Sequence, residues 1–419
     1  MALANYYEAT ARLPAITAPL EGDQRCDVAI IGAGMTGCSA ALHLAERGYR
    51  VCVLEAEQIG FGASGRNGGQ ALPGYAAEQS TIRRLMGPVS AQALWGMSLE
   101  AVELLHRQIE RFAIPCDPQR GYLHVAVKPR QVQALQEWAE ELHALGASGF
   151  EMLTGADLQA RLRSPRYRAG LFDPIAGHIH PLNYTLGLAH AAMAAGAVIY
   201  TNTRVTKIDT APGVILTTPQ GRVSADYVLL CGNAYLGALA RPIAGYIMPV
   251  GTYIIATEPR DDVADLIPGN EAVADLNFVL DYFRRSTDHR MLFGGRVSYS
   301  TVPPRNLAAS MLSRAQRAFP QLQDARAEFV WGGNVAISRN RLPHFGRLGR
   351  NVLFAQGFSG HGVALTGLAG KLLAEAVAGQ AERFDIFAKI PHARFPGGRF
   401  LRMPSLVLAT SWYRLRDWL

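Results

Sequence analysis

Lysine is nearly absent from this chain. Its 419 residues carry 41 Lys plus Arg against 34 Asp plus Glu, a formal net charge of +7, yet the only lysines are Lys128, Lys207, Lys371 and Lys389. The positive balance is therefore arginine, and it is scattered, with none of the dense runs that mark nucleic-acid-binding arms. A solvated surface with some basic lining for an anionic ligand accounts for it. Cysteine is scarce as well. Cys26, Cys38, Cys52, Cys116 and Cys231 are odd in number and widely spaced, with no C-x-x-C and no Cys/His ligand spacing. Neither a metal site nor structural disulfides are expected. No apolar run approaches the ~18 residues that span a bilayer, and the N-terminus lacks a charged-then-apolar leader pattern, so a soluble protein of a reducing cytoplasm is expected. Internal repeats and low-complexity tracts are missing too. The length suggests two domains, possible as interleaved segments, and 49% hydrophobic residues supply the cores.

What is present begins with Asp27-Val28-Ala29-Ile30-Ile31, the composition of a buried parallel strand. It runs into Gly32-Ala33-Gly34-Met35-Thr36-Gly37, a G-x-G-x-x-G turn, and then into a helical pattern with Ala40, Ala41, Leu44 and Ala45 on one face. A second strand, Tyr49 to Leu54, ends on Glu55, roughly twenty residues past the last motif glycine, as a dinucleotide fold requires. Each glycine has a purpose: Gly32 permits the tight turn, Gly34 admits a pyrophosphate against the backbone, and Gly37 lets helix and strand pack closely. The helix-start amides and the positive end of its dipole face the phosphates. Glu55 suits the two hydroxyls of an adenosine ribose, which favours FAD or NAD over NADP.

The next glycine-rich stretch, Gly60 to Gln70, cannot be a helix or strand interior. It reads as a loop lying against a flat ligand, with Ala63, Ser64, Arg66, Asn67, Gly68 and Gly69 as contacts. Residues 86 to 113 read as helix, Tyr122 to Val127 as strand and Gln131 to Leu145 as amphipathic helix. Leu171 to Pro181 reads as a strand leading back, and Leu182 to Ala195 as a helix. His178 and His180 share a strand face, but no third metal ligand is evident. Val198 to Ile208 reads as a strand pair, and Tyr227 to Cys231 as a core strand ending at Gly232-Asn233, where such sheets hold ligands. From Arg241 to Trp331 the pattern alternates as an antiparallel sheet would, and Tyr253, Tyr282 and Arg284 are its candidates for substrate contact.

Together with these motifs, Gly177–Leu182, Cys231–Gly237, Phe345–Leu348, Gly357–Val363 and Phe395–Arg399 make long, ordered matches along most of the chain. In them the chain resembles the FAD-dependent amine oxidoreductases of the D-amino-acid oxidase and glycine oxidase group. The resemblance implies an α/β fold with two parts. A Rossmann-like FAD domain would be assembled from residues 26–85, 178–240 and 332–385. An antiparallel-sheet substrate domain would be built from 86–177 and 241–331, between an N-terminal arm, 1–25, and a tail, 386–419. It further implies that the Val205 backbone meets adenine, that Arg341 lies at the flavin edge and that His180 lies near the flavin where the chain passes between domains. The turn Gly357, Ser359, Gly360, His361, Gly362 and Val363 would open a helix whose free amides stabilise negative charge on the reduced flavin.

The reaction implied is oxidation of an amine, gamma-glutamylputrescine, with hydride passing to the flavin and dioxygen as the acceptor. Arg284 would meet the substrate carboxylate. With no cysteine beyond Cys231, the flavin is expected to be non-covalent. So few lysines leave oxidase and dehydrogenase both open. Alternatives are an oxidase of D-amino acids or N-methyl amino acids and, more remotely, a flavin-dependent RNA-modifying protein. The tail, with Arg402, Arg414 and Arg416 among Leu, Val, Trp and Tyr, reads as packing on the body or a second subunit, or as a weak membrane contact.

Overall fold

The strand Val28–Ile31 is buried along its whole length, and its neighbours explain why. It lies in a six-stranded sheet ordered His344–Leu348, Val352–Gln356, Tyr227–Leu230, Val28–Ile31, Val51–Leu54 and Val198–Tyr200. The last five run parallel, and the first is antiparallel to its neighbour. Successive side chains leave opposite faces, so Val28 and Ile30 enter one core while Ala29 and Ile31 enter another. Helices Met35–Ala45, Gln79–Arg111, Pro181–Ala194 and Leu365–Val377 cover the first. A small four-stranded sheet, Gln24–Arg25, Arg222–Ala225, Val214–Thr217 and Lys207–Asp209, closes the second. Burial on both faces is why these strands read as unbroken apolar runs. The computed structural model describes residues 5–16, 18–210, 213–277, 279–298 and 306–396.

A second sheet has nine strands among the described residues, mostly antiparallel. Its order is Ala327–Ser338, Ile247–Thr257, Met291–Ser298, Tyr282–Arg285, Ala272–Asp275, Gln119–Ala126, Ala169–His178 and Gln70–Ala71, with Glu151–Thr154 also paired to Ala169–His178. Only Ala272–Asp275 and Gln119–Ala126 pair in parallel. One face meets the nucleotide-type domain through Ile254, Ala256, Leu292 and Trp331. The other packs Ile255, Phe283 and Phe293 beneath the helix Leu307–Ala318. The strand Gln70–Ala71 follows the glycine loop directly, so the second sheet starts where the loop ends.

Several boundaries differ from the sequence reading. The helix assigned to the substrate domain, Gln79–Arg111, sets Leu94, Met97, Ala101, Leu104, Leu105 and Ile109 into the same core as Met35–Ala45 and Leu365–Val377, so it belongs to the cofactor half. It breaks at Gly87-Pro88, where Gly87 has φ 77. Strand Ala327–Ser338 pairs along its length with Ile247–Thr257, so the return to the cofactor half falls after Ser338, and not at Gly332. The parallel strand Val198–Tyr200 and the edge strand Lys207–Asp209 lie in different sheets. The tail from residue 397 lies outside the described residues, with Arg402, Arg414 and Arg416.

The N-terminal arm is not simply extended. Asn5 caps a short helix, Tyr6–Ala9, by accepting from the Tyr7 amide, and both tyrosines are buried. Tyr7 packs edge-on to Trp331 at 5.4 Å and to His180 at 4.9 Å. Its hydroxyl accepts from Arg284 Nη2 at 3.2 Å. No periodicity of four residues can announce such a contact. Tyr7→Ala should cost about 3–5 kcal/mol through the cavity it leaves, read as a lower denaturant midpoint. Tyr7→Phe, which keeps the ring, should lose about 1 kcal/mol.

Candidate active site

The glycine turn is built as its spacing requires. Gly32 has φ +104, and a Cβ there would lie 3.0 Å from the Gly232 nitrogen on the neighbouring strand end. A Cβ on Gly37 would sit 1.9 Å from the Gly32 carbonyl oxygen. The helix Met35–Ala45 thus starts against the carboxyl edge of the sheet with its first amides facing a cavity of about 270 Å3. Gly34 and Ser64 border the cavity side by side: the Met35 amide donates to Ser64 Oγ at 3.0 Å, and a Gly34 Cβ would stand 2.8 Å from that oxygen.

At one end of the cavity Glu55 accepts from the Ala33 amide at 2.7 Å and the Glu57 amide at 3.0 Å. Burial pushes its carboxyl pKa up, and these two amides oppose the shift. Each carboxylate oxygen keeps a lone pair for a ribose hydroxyl. Val205 lines this end, and so do Glu57 and Arg204, an exposed ion pair that the sequence reading missed. Arg204 directly precedes Val205, so the signal was there, but a single arginine among many carries little information.

At the other end the walls are Gly232 and Asn233, strand residues Val335 and Ala336, and Phe358, Ser359, Gly360, Gly362 and Val363 of the following turn, with Thr366 beyond it. Asn233 Oδ1 accepts from the Gly357 amide at 3.0 Å, tying two strand ends together. Ser359, at φ +57, donates its amide to the Ala336 carbonyl. Gly32, Gly34, Met35, Thr36, Ala63, Ser64, Asn67, Gly360, Gly362 and Val363 also border the cavity. Phe61 and Tyr235, both partly exposed, border it without having been anticipated.

Other expected contacts shape the walls from behind. Ala33 and Gly37 form the turn, and Gly357 (φ 75) bonds Asn233. Arg66 donates to the Phe61 carbonyl at 2.8 Å and pairs with Glu8, so it braces the loop. A Cβ on Gly69 would be 2.2 Å from the Ile179 carbonyl oxygen. Arg341 takes φ 60 in the turn after Ser338, outside the cavity lining. Its placement at a flavin edge is not supported by that geometry.

The substrate candidates divide by face. Tyr282 points to the cofactor half: a Cβ on Gly68 would lie 2.8 Å from its ring. Tyr253 belongs to the opposite face, in the core with Phe283 and Phe293, because strand alternation sends it toward the helix Leu307–Ala318. Arg284 shares Tyr282's face, but its guanidinium is committed. It donates to the carbonyls of Gly68 (2.8 Å), Ile179 (3.2 Å) and Arg285 (3.3 Å) and to the Tyr7 hydroxyl, and it is 5% exposed. It clamps the glycine loop to the second sheet, with most of its donors committed to that task.

His180 is likewise structural. Its Nδ1 accepts from the Asn183 amide at 3.1 Å, capping the helix Pro181–Ala194, and Nε2 meets Thr10 Oγ1 at 3.0 Å. Nε2 of its neighbour His178 donates to the Asn270 carbonyl at 2.9 Å. No group of three His, Cys, Asp or Glu among the described residues is placed to hold a metal. His361 Nε2 donates to the Pro73 carbonyl at 2.9 Å, and burial lowers its pKa, so it is a neutral brace between turn and loop.

A family model described as FAD dependent oxidoreductase matches residues 27–376. The chain belongs to that family. The chain is 42% identical over 416 residues to a protein named gamma-glutamylputrescine oxidoreductase from Escherichia coli (strain K12), covering 99% of this chain and 98% of that one. It is 39% identical to a probable oxidoreductase from Haemophilus influenzae, over 95% of this chain and 94% of the other. Among solved structures, glycine oxidase from Geobacillus kaustophilus superposes with a TM-score of 0.73 at 22% identity, covering 85% of this chain and 95% of that one, which shows the shared fold. FAD is the family's cofactor, and the cradle fits it: Gly32 and Gly34 border the cavity where a Cβ has no room, the first residues of the helix Met35–Ala45 line it, and the Glu55 carboxylate stands at one end.

Burial holds His178 and His180 down to about 3, with the charge of Arg284 adding to the effect. In the unfolded chain both imidazoles take a proton near 6.5. Their contribution to stability is thus complete above about pH 6.5 and is lost as pH falls toward 3, at about 1.4 kcal/mol per pH unit for each ring. Urea unfolding at pH 7 and pH 5 should show this loss. His180→Asn, which puts a capping oxygen in place of the Nδ1 acceptor, should flatten the pH dependence by one proton.

Proposed function

We propose that this chain oxidises gamma-glutamylputrescine, with non-covalently held FAD as the acceptor of the hydride and dioxygen as the oxidant that restores it. The full-length likeness to the Escherichia coli protein of that name carries the reading, because it runs through both the cofactor half and the second sheet. The imine formed on the substrate hydrolyses to an aldehyde and an amine or ammonia, and dioxygen leaves as peroxide. In polyamine breakdown such a step would prepare an acyl-diamine for further oxidation. A cytoplasmic enzyme fits this reading, and no helix among the described residues is long and apolar enough to cross a membrane.

When bound, FAD supplies the two-electron chemistry at the carbon beside the substrate nitrogen. The chain's own groups bind and orient. The start of the helix Met35–Ala45 would hold the diphosphate, and Glu55 would hold the ribose. The start of the helix Leu365–Val377, with Gly360, Gly362 and Val363 before it, borders the other end of the cavity, where its positive dipole end would stabilise negative charge on a reduced cofactor. His361, being neutral, leaves that task to the backbone. Tyr282 covers the glycine loop from the second sheet. Water exclusion favours the neutral amine, so no side-chain base is required.

Two experiments test this. Anaerobic titration of the yellow protein with gamma-glutamylputrescine, putrescine, sarcosine and D-alanine should bleach the flavin at the lowest concentration with the first. A preference for sarcosine or D-alanine would instead favour an amino-acid oxidase. Acid precipitation should leave all yellow colour in the supernatant, since no cysteine lies beyond Cys231. Colour retained in the pellet would refute non-covalent binding.

A further inference from the structure

Two of the few large apolar side chains left partly in water stand side by side at the cofactor cavity. Phe61 is 40% exposed and Tyr235 44%, both border the cavity, and their rings meet edge-on at 6.4 Å. Apolar side chains scattered singly over a surface need no explanation, but two in contact at the rim of a cavity do. They reach that rim from different strands. Phe61 follows Val51–Leu54, and Tyr235 ends the short turn Asn233–Tyr235 after Tyr227–Leu230. The strand Val28–Ile31, which leads into the glycine turn, lies between those two.

Three short segments, 32–35, 62–64 and 232–235, close a ring through three junctions. At the first, Gly32 rests on the backbone of Gly232. At the second, the Met35 amide donates to Ser64 Oγ at 3.0 Å. At the third, the Tyr235 ring packs on Gly62, where a Cβ would lie 2.9 Å from it, and on the Phe61 ring. Gly32, Gly34, Gly62, Ser64, Gly232 and Tyr235 all border the cavity, which continues to Glu55 and Val205 at one end and to Val335 and Ser359 at the other. A dinucleotide long enough to reach both ends runs through this ring. The third junction is the weakest of the three. It is made by exposed side chains, and the Tyr235 hydroxyl adds only a long hydrogen bond from the Asn334 amide, at 3.4 Å. Arg66 steadies Phe61, with its guanidinium 4.9 Å from the ring centroid.

We propose that Phe61 and Tyr235 are the clasp of this ring: they part to admit FAD, close over it, and set how fast the cofactor is exchanged. The junction at Gly32 and Gly232 joins the ends of two paired strands and cannot part without undoing the parallel sheet. An edge-to-face aromatic pair is worth little by comparison and opens by side-chain rotation alone. Closed, it keeps the middle of the cofactor from leaving sideways and limits the water that reaches it. The clasp requires FAD as the cofactor and is indifferent to which amine is oxidised.

The test follows cofactor exchange and needs no substrate. Holoprotein carrying isotopically labelled FAD is mixed with excess unlabelled FAD, and the label retained on the protein is measured over time. Phe61→Ala and Tyr235→Ala should each release FAD about five- to tenfold faster than wild type. Because either loss opens the same junction, the double variant should be within about twofold of the faster single one. Tyr235→Phe keeps the ring and should stay within about threefold of wild type. A clasp hinders entry as much as exit, so Kd for FAD, from titration of the stripped protein, should change by less than about threefold in the alanine variants. Should an alanine variant not fold, Phe61→Leu and Tyr235→Leu remove the ring while keeping apolar bulk, and give the same comparison. Release within about twofold of wild type in the variants that lack a ring would overturn the clasp. So would a Kd that rises in step with the release rate, which would make the two rings ordinary contacts of the bound cofactor.

Discussion

The structure depends on backbone being allowed unusually close to backbone at the carboxyl edge of one parallel sheet. Gly37 rests on the Gly32 carbonyl, and Gly32 on the backbone at Cys231-Gly232, with no room for a side chain in either place. That contact brings the start of the helix Met35–Ala45 and the ends of two strands to one place, and their amides line the cavity. Hydrogen-bonding groups at helix starts and strand ends are costly to bury unless something meets them. Here an anionic cofactor is the natural partner.

From that edge outward the molecule becomes a problem of holding loops still. Asn67 bonds the carbonyls of Ala63 and Ser64 and the Gly69 amide, Asn233 bonds Gly357, and His361 bonds Pro73. Arg284 fastens the same glycine loop to the second sheet, and Tyr7 fastens Arg284. Polar side chains that resemble catalytic groups by type are thus used as braces. A buried arginine with several carbonyl partners is rigid, and rigidity is what positioning a flat cofactor against a small amine requires.

The second sheet separates its two faces by chemistry. Phe283, Phe293 and Ile255 fill an apolar core under a helix, while Tyr282, Tyr122, His124 and Asp173 stand on the opposite face toward the cofactor half. Arg284 on that face keeps its charge, which helps hold His178 and His180 neutral, while its donors are met by backbone carbonyls and the Tyr7 hydroxyl.

The sequence by itself determined the nucleotide unit, because its evidence is local. A strand, a glycine turn, a helix and a terminal acid are contiguous, and Gly32, Gly34, Gly37 and Glu55 act through neighbours a few residues away. Ser64 and Asn67 were singled out from the glycine-rich loop itself, whereas Val205 was named only through resemblance along the chain. The tertiary structure alone decided which face Tyr253 and Tyr282 occupy, that Arg284 and His180 are held by Tyr7 and Thr10, and that the helix Gln79–Arg111 belongs to the cofactor half. Those outcomes come from contacts between residues up to 277 positions apart. The type of a side chain says what it can bond. Only the packing of distant segments says which partner reaches it first.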